Sequence, residues 1–385
     1  MAMGKRFVSL LLCLALLCLC AGCGGYQADG SFTYLLPQNV PSLDPQTAAD
    51  AASGMVIDSL FEGLCRIDED GETVPGVARR WESNQDATEF TFYLRPKAQW
   101  SNGDPVTADD FVFAITRALN PGTGSVAEDM LSLVNARAYA AGEVDASALG
   151  VYAEDEHTLV IRLEESNPDF PALTAGTHYM PCNRSYFEAC AGHYGLSSQY
   201  VISNGPFTFS SVYAWQTDPG ERSLRLTRSD TYRGDRTVQP ANVTFLIDYD
   251  DAYDQDPVQA LLEGNVDILT LPETLAQQAE EAGCGVLSLD DAVTGLLLNP
   301  RSKKLENRAL RSLFLKTLHR EDLLSRRENP VEALGVMPPC VVWNGESYYG
   351  DGARIYTQED SSAVEEIPSL LQELDLEEIP SITVL

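Results

Sequence analysis

The chain has 385 residues, with 57 Asp and Glu against 26 Lys and Arg, for a formal net charge of −31. That balance, with no clustered basic stripe, excludes nucleic acid as a partner, because a phosphate backbone is gripped by grouped Lys and Arg. The length suits about two domains with sizeable cores, and the apolar and charged fractions are ordinary for globular proteins.

The first element is an export signal. Lys5 and Arg6 precede an apolar run over residues 7–21, broken only by Ser9, and the run ends in Gly22, Cys23, Gly24 and Gly25. A positive start, an apolar middle and small residues at the cut are the marks of a secretory signal, and the run is too short to span a membrane. Its end, Leu19-Cys20-Ala21-Gly22-Cys23, resembles the lipobox of bacterial lipoproteins, although the family prefers Leu where Cys20 stands. The resemblance implies residues 1–22 as a lipoprotein signal peptide and Cys23 as the site of lipid attachment. An ordinary cleaved signal is the alternative. Acyl chains bury about 0.8 kcal/mol per CH2, and two or more are needed for a stable anchor. The expected location is the cell membrane, lipid-anchored on its extracytoplasmic face, extracellular or periplasmic. There disulfides are permitted, and Cys65, Cys182, Cys190, Cys284 and Cys340 remain as five candidates whose pairing the sequence leaves open.

Beyond the signal, residues 32–36 read as a strand, and a helical pattern runs through Met55, Leu60 and Phe61 before the acidic turn Asp68-Glu69-Asp70-Gly71. Phe90, Phe92 and Leu94 alternate with polar neighbours, the period of a half-buried strand, and Leu159, Ile161 and Leu163 repeat it. Between these strands, Thr107 and Asp110 form a capped helix start, with Val106 and Phe111 as its hydrophobic staple. Apolar positions Phe111, Ala114, Ile115 and Ala118 continue the helix, and Asn120-Pro121-Gly122 closes it. A second capped helix starts at Asp256-Pro257, carries Val258, Leu261 and Leu262, and leads into a strand over 266–271. A third shows Leu310, Leu313, Phe314 and Leu318 on one face. Interleaved strands and helices argue an α/β fold. Residues 382–385 read as a last strand.

Several stretches taken together resemble the family 5 solute-binding proteins, the oligopeptide- and dipeptide-binding components of bacterial ABC importers. They are Ser42-Leu43-Asp44-Pro45, Leu60-Phe61-Glu62-Gly63-Leu64, Pro75-Gly76-Val77-Ala78 with Trp81, the run from Phe90 to Arg95, and Trp100-Ser101-Asn102-Gly103-Asp104-Pro105 on to Phe111. Arg117 and Pro121 follow, then Asn204-Gly205-Pro206-Phe207 and Glu263-Gly264-Asn265-Val266-Asp267-Ile268. The resemblance implies an α/β, two-lobed, periplasmic-binding-protein-like fold of type II with an extra subdomain in the first lobe. It implies a first-lobe core over 23–61 and 186–270, an inserted subdomain over 62–185, and a second, hinged lobe over 271–385. Family members run longer, so it also implies that this second lobe is incomplete.

The function implied is capture of peptides outside the cell membrane and delivery to ABC permease subunits. The peptide backbone would pair like an added strand while its side chains sit in hydrated pockets. By position after the Ser42 to Pro45 motif, the ligand-binding segment is Ala49, Asp50 and Ala51. The family commonly covers its ligand with an aromatic residue where this chain has Ala127. Asp50 could meet a ligand amine, although a solvated carboxylate is the plainer reading.

Other chemistry is thinly represented. His178, Cys182, Cys190 and His193 have a spacing that could close a zinc site, but the Cys pairs are too loose and the reading is no metal and no cofactor. A Cys182 to Cys190 disulfide stays open, since it depends on a Cα separation the sequence does not give. No nucleophile elbow, zincin helix, phosphate loop or dinucleotide turn is present, and His157 and His319 stand alone, so the chain is read as a binder and not an enzyme. Alternatives are the same fold with a non-peptide ligand (nickel chelate, haem or oligosaccharide), a surface lipoprotein hydrolase, or a non-binding remnant.

Overall fold

Strand β1 (Ser31–Leu36) organises the first sheet, because it carries parallel neighbours on both sides. The computed structural model describes residues 30–36, 38–125, 127–215, 223–247, 256–271, 273–287, 298–303, 305–318, 342–343, 346–347 and 361–374. The chain divides into two compact units, Met1–Thr270 and Leu271–Leu385. Cys23, His319, Cys340 and the expected strand at 382–385 lie outside the described residues.

In the first unit, α1 (Ala51–Leu60) follows β1 and buries Ala52, Val56, Ile57 and Leu60 along one face. The hairpin β2 (Cys65–Ile67) and β3 (Thr73–Pro75) turns at the expected acidic loop, where the Asp68 carboxylate accepts from the amides of Asp70 and Glu72. Next come β4 (Ala78–Ser83), β5 (Glu89–Leu94), α2 (Ala108–Leu119), the short α3 (Ala136–Ala140), β6 (Val151–Asp155) and β7 (Thr158–Arg162). Their strands form a four-stranded antiparallel sheet in the order β4-β5-β7-β6, and α2 packs across β6 and β7. Two short helices, α4 (Phe170–Leu173) and α5 (Arg184–Ala189), lead back to the first sheet.

That sheet is completed by β8 (Phe207–Phe209), β9 (Ser223–Arg228), β10 (Asn242–Ile247), α6 (Pro257–Leu262) and β11 (Ile268–Leu269), in the order β11-β1-β10-β9-β8. Helix α6 starts where expected, with the Asp256 carboxylate accepting from the Gln259 amide at 2.9 Å. Buried Leu35, Ala260 and Val266 pack it onto the sheet. One apolar core runs from Leu36 and Ile57 through Phe92, Phe111 and Ile161 to Phe245, and so joins both sheets of the unit.

Two strand expectations need correction. In β5 the alternation holds, with Phe90, Phe92 and Leu94 buried and their neighbours half-buried, but in β7 all of Thr158, Leu159, Val160 and Ile161 are buried. β7 is an interior strand flanked by β5 and β6, with α2 against it, so neither face meets solvent. The strand expected over 266–271 shrinks to two residues. Ahead of it, the Asp267 carboxylate takes the Thr33 amide at 2.7 Å, which removes a backbone donor that a longer ladder would use.

The second unit contains α7 (Glu273–Glu281), α8 (Arg308–Thr317), the pair β12 (Val342–Trp343) and β13 (Glu346–Ser347), and α9 (Ile367–Glu373). The expected apolar face of α8 is present in Leu310 and Leu313, which pack on Ala363 and Leu370, while Phe314 is half-buried. The Asn307 side chain caps α8 by accepting from Ala309 and Leu310 amides. No described helix is long and apolar enough to cross a membrane.

Candidate functional site

The Ser42-Leu43-Asp44-Pro45 motif folds as a tight turn whose purpose is to bury one carboxylate. Asp44 meets Arg117 of α2 through two parallel bonds: Nη1 to Oδ2 at 2.7 Å, and Nη2 to Oδ1. Both side chains are only 9% exposed. Nη2 also reaches the Gln46 Oε1 at 2.5 Å, and the rings of Phe187 and Tyr194 cover the guanidinium at 4.4 and 5.5 Å. Bidentate geometry and stacking are what a guanidinium offers over an ammonium, which is why this position suits Arg. Gly195 crosses the turn at φ +79°, and a Cβ there would lie 2.4 Å from the Asp44 nitrogen, so only Gly fits.

Gln46 carries this network onward. Its Nε2 donates to the carbonyls of His178 at 3.2 Å and Met180 at 2.8 Å, pinning the 3-10 segment Thr177–Tyr179. The same turn delivers the chain to α1, so Ala49, Asp50 and Ala51 sit at the loop-to-helix junction. Ala49 and Ala51 are exposed, while the Asp50 carboxylate accepts from the Ser53 amide at 2.8 Å as the N-cap of α1. Asp50 therefore has a structural partner of its own, and the exposed atoms of this segment are mainly backbone and methyl groups. Segment Thr177–Tyr179 abuts the first turns of α1, since a Cβ on Gly54 would lie 4.0 Å from the Thr177 Oγ1. His178 Nδ1 of this segment faces the Asp129 Oδ1 at 3.6 Å. Ala127, expected near the ligand, is buried at the start of the 3-10 segment Glu128–Ser132.

The other motifs also lock onto one another. Asn204 holds the backbone of Glu62 from both sides, accepting from its amide at 3.2 Å and donating to its carbonyl at 2.9 Å. Gly205 donates to the Leu60 carbonyl, and a Cβ on it would come within 2.8 Å of that peptide group. The Glu62 side chain is buried, and its Oε1 accepts from the Tyr232 hydroxyl at 2.5 Å. Burial pushes the Glu62 carboxyl up, opposed by the Tyr232 bond and the nearby Arg95 charge. Arg95 in turn bonds the Gly76 carbonyl and grips Asp235 through both Nη atoms at 2.8 and 2.6 Å. Tyr232→Phe removes the side-chain donor that the buried Glu62 carboxylate has among the described residues, so a loss of about 1–3 kcal/mol is expected. Urea unfolding should show that loss near neutral pH and a smaller one in acid, where Glu62 is protonated.

Trp100 and Asp110 form the third lock. The Asp110 Oδ2 accepts from the Thr107 amide at 2.9 Å and from the Trp100 Nε1 at 3.2 Å, so the residue expected only as a helix-end acid also anchors a core tryptophan. Burial pushes the Asp110 carboxyl up to about 6, against the lowering effect of those bonds. The folded state thus keeps a proton that the unfolded chain gives up near pH 4, and its stability falls as pH rises from there through 6. The term is worth about 2–3 kcal/mol. Asp110→Asn removes it, so the stability of the wild type relative to this variant should drop by that amount between acid and neutral pH, as measured by urea unfolding across the range.

The four residues spaced like zinc ligands go separate ways. His178 faces Asp129, His193 stacks on Tyr200 with centroids 5.1 Å apart, and Cys182 and Cys190 pack in an apolar cluster with Ala114 and Tyr194. Among the described residues no three metal-binding side chains converge. Cys65, Cys182, Cys190 and Cys284 are free thiols. Cys182 and Cys190 are therefore not bridged to each other, although both are buried in the same cluster. His157 bonds through its backbone, to Leu94 and Asp155, while its Nδ1 is buried without a partner among the described residues. Gln46, Tyr232 and Asp235 are the members of these networks that sequence reasoning missed.

Comparison with known proteins agrees with this architecture. The sequence profile of the bacterial extracellular solute-binding proteins, family 5 Middle, matches residues 72–356. The dipeptide-binding protein DppE of Bacillus subtilis is 27% identical over 359 residues, covering 91% of this chain and 64% of that protein. The oligopeptide-binding protein OppA of the same organism is 28% identical over 376 residues, covering 91% of this chain and 67% of its own length. The structure of OppA from Burkholderia pseudomallei superposes with a TM-score of 0.70 at 28% identity, over 90% of this chain and 67% of that one. These neighbours are two-lobed α/β proteins, the class read from the sequence. The chain spans about two thirds of the length of these relatives. With the profile match covering most of its residues, the chain belongs to the bacterial extracellular solute-binding proteins, family 5.

Proposed function

We propose that this protein is the substrate-binding component of a peptide ABC importer, lipid-anchored through Cys23 outside the cell membrane, capturing peptides and delivering them to permease subunits. The observation that carries the reading is how the family motifs are used. Asp44 with Arg117, Glu62 with Asn204, and Trp100 with Asp110 are spent on one another inside the first unit. The first of these pairs sits in the turn that leads into the exposed junction at Ala49, Asp50 and Ala51. A scaffold that presents backbone groups, with few side chains, suits ligands that share a backbone and differ in their side chains. The relatives named for dipeptides and oligopeptides support the same class. In this reading residues 62–185 are an inserted subdomain of the first lobe and 271–385 belong to the second.

Thermal unfolding in the presence of di- to hexapeptides tests it. A ligand that binds only the folded state stabilises by RT ln(1 + [L]/Kd), about 2.7 kcal/mol at a hundredfold excess over Kd. At least one peptide class should raise Tm, and the peptides should be recovered intact. A shift with nickel chelates, haem or oligosaccharides in place of peptides would reassign the ligand.

A further inference from the structure

An open cleft of about 500 Å³ lies at one end of the β4-β5-β7-β6 sheet, and it shares no lining residue with the junction at Ala49, Asp50 and Ala51. Arg79 of β4 lines it, with Tyr93 and Leu94 at the end of β5, Pro96 beyond them, and the turn from β6 into β7. That turn is fixed from both sides. The Glu156 carbonyl accepts from the Ala108 amide at the start of α2 at 2.9 Å, and the His157 carbonyl accepts from the Leu94 amide at 2.7 Å. Arg79 reaches the cleft through a β-bulge. Ala78 stands opposite Leu94 and Arg80 opposite Tyr93, so Arg79 is the extra residue, and a bulge of this kind re-aims the side chain it carries.

Two groups in the cleft have donors with nothing to bond. The chain carries 57 Asp and Glu, and Arg79 shares the cleft with Asp155 and Glu156, yet among the described residues it makes no hydrogen bond or ion pair. Its neighbour Arg80, by contrast, is paired with Glu82 and stacked on the Tyr93 ring. Asp155 is already engaged, its Oδ1 accepting from the His157 amide at 2.7 Å and its Oδ2 from the Thr158 hydroxyl at 3.0 Å, and these bonds hold its carboxyl below the usual range. Glu156 is exposed at the tip of the turn. The second group is His157. Its Nδ1 is buried with no partner among the described residues, so a proton there would be unsatisfied, and the neutral ring carries its N–H on Nε2, the nitrogen that is not enclosed. A forked guanidinium with a free imidazole N–H beside it matches a carboxylate or a phosphate. The volume falls within the roughly 300–1,000 Å³ of small-molecule sites, and Tyr93, Leu94 and Pro96 give it apolar wall.

We propose that this cleft is a second binding site, for a small organic anion whose carboxylate or phosphate meets Arg79 and His157 while its apolar body lies against Tyr93, Leu94 and Pro96. The proposal is independent of the peptide-binding reading, since the two draw on different residues of the first unit.

Calorimetric titration of the full chain with benzoate, phenyl phosphate, inorganic phosphate, neutral benzamide and cationic benzylamine tests it, alongside proton NMR of the imidazole signals of the four histidines. Benzoate or phenyl phosphate should bind about tenfold or more tighter than benzamide and benzylamine. The tighter of the two anions assigns carboxylate or phosphate. The same anion should saturably shift the His157 signal, identified as the one lost in His157→Gln. Arg79→Gln should weaken that anion about tenfold or more with Tm unchanged. Arg137→Gln, which removes an equal charge from an exposed position outside the cleft, should leave the affinity as it was. Four results would each overturn the proposal: benzylamine favoured over both organic anions, inorganic phosphate favoured over both, neither organic anion binding up to about 10 mM, or Arg79→Gln keeping the wild-type affinity.

Discussion

Arg117→Met is expected to lower the stability of the first unit by about 3–5 kcal/mol, because it leaves the Asp44 carboxylate buried without its counter-charge. The cost is set by asymmetry. Forming a buried ion pair gains little net stability over an apolar pair, but removing one member leaves the whole desolvation penalty of the other. Asp44→Leu should cost a similar amount, now from an unpaired guanidinium under Phe187 and Tyr194. The double variant Asp44→Leu/Arg117→Met should recover part of the loss, and the coupling read from the cycle should fall in the range of about 0.5–3 kcal/mol. Recovery cannot be complete, because the Gln46 amide donates to the Asp44 Oδ1 and its Oε1 accepts from Arg117. Urea unfolding of the four proteins measures the cycle. The single variants should also loosen segment Thr177–Tyr179, seen as faster amide exchange at Tyr179 and Met180.

Trp100→Ala is the second large effect, about 3–5 kcal/mol from the cavity left by a fully buried indole. Trp100 stands edge-on to Phe61, with ring centroids 6.4 Å apart, and so ties α2's start to the end of α1. Trp100→Phe separates packing from hydrogen bonding. It keeps an aromatic ring but removes the N–H that reaches Asp110, and should cost about 1–2 kcal/mol more than the volume change alone. Because that bond lowers the Asp110 pKa, its removal should move the pH-dependent loss of stability upward from about 6. Urea unfolding across pH measures both effects. An unchanged pH profile in Trp100→Phe would mean that the indole does not act on Asp110.

These two locks show which parts of the molecule are legible in sequence. The helix start at Thr107 was readable because its partners, Thr107 and Asp110, are three residues apart, and a capping box is a local pattern. The alternation of β5 was readable because one face is buried and the other is not. β7 was misread because burial on both faces depends on what flanks the strand, which no local period records. Asp44 and Arg117 each stood in a motif, yet the bond between them spans 73 positions and nothing in either segment names the other. Gln46, beside the motif, and Tyr232, far from Glu62, carried no signal at all, since a single polar residue becomes a network member only once the fold brings its partner near.

The candidate site follows the same division. The position of Ala49, Asp50 and Ala51 could be counted forward from a motif, and the structure places them at an exposed junction. That Asp50 would be spent as a helix cap was a local fact available in the sequence, given the helix that begins at Ala51. That Asp129 would face His178 was not available, because it requires two 3-10 segments from distant parts of the chain to meet.

The central claim is that this body catches peptides, and isothermal titration of the full chain with a di- to hexapeptide panel tests it most directly. Saturable heat is expected with at least one peptide class at a Kd of about 1 μM to 100 μM or tighter, matched by a rise in Tm in its presence. Absence of both heat and Tm shift for every peptide up to about 1 mM, a concentration at which even weak specific binding registers, would contradict it.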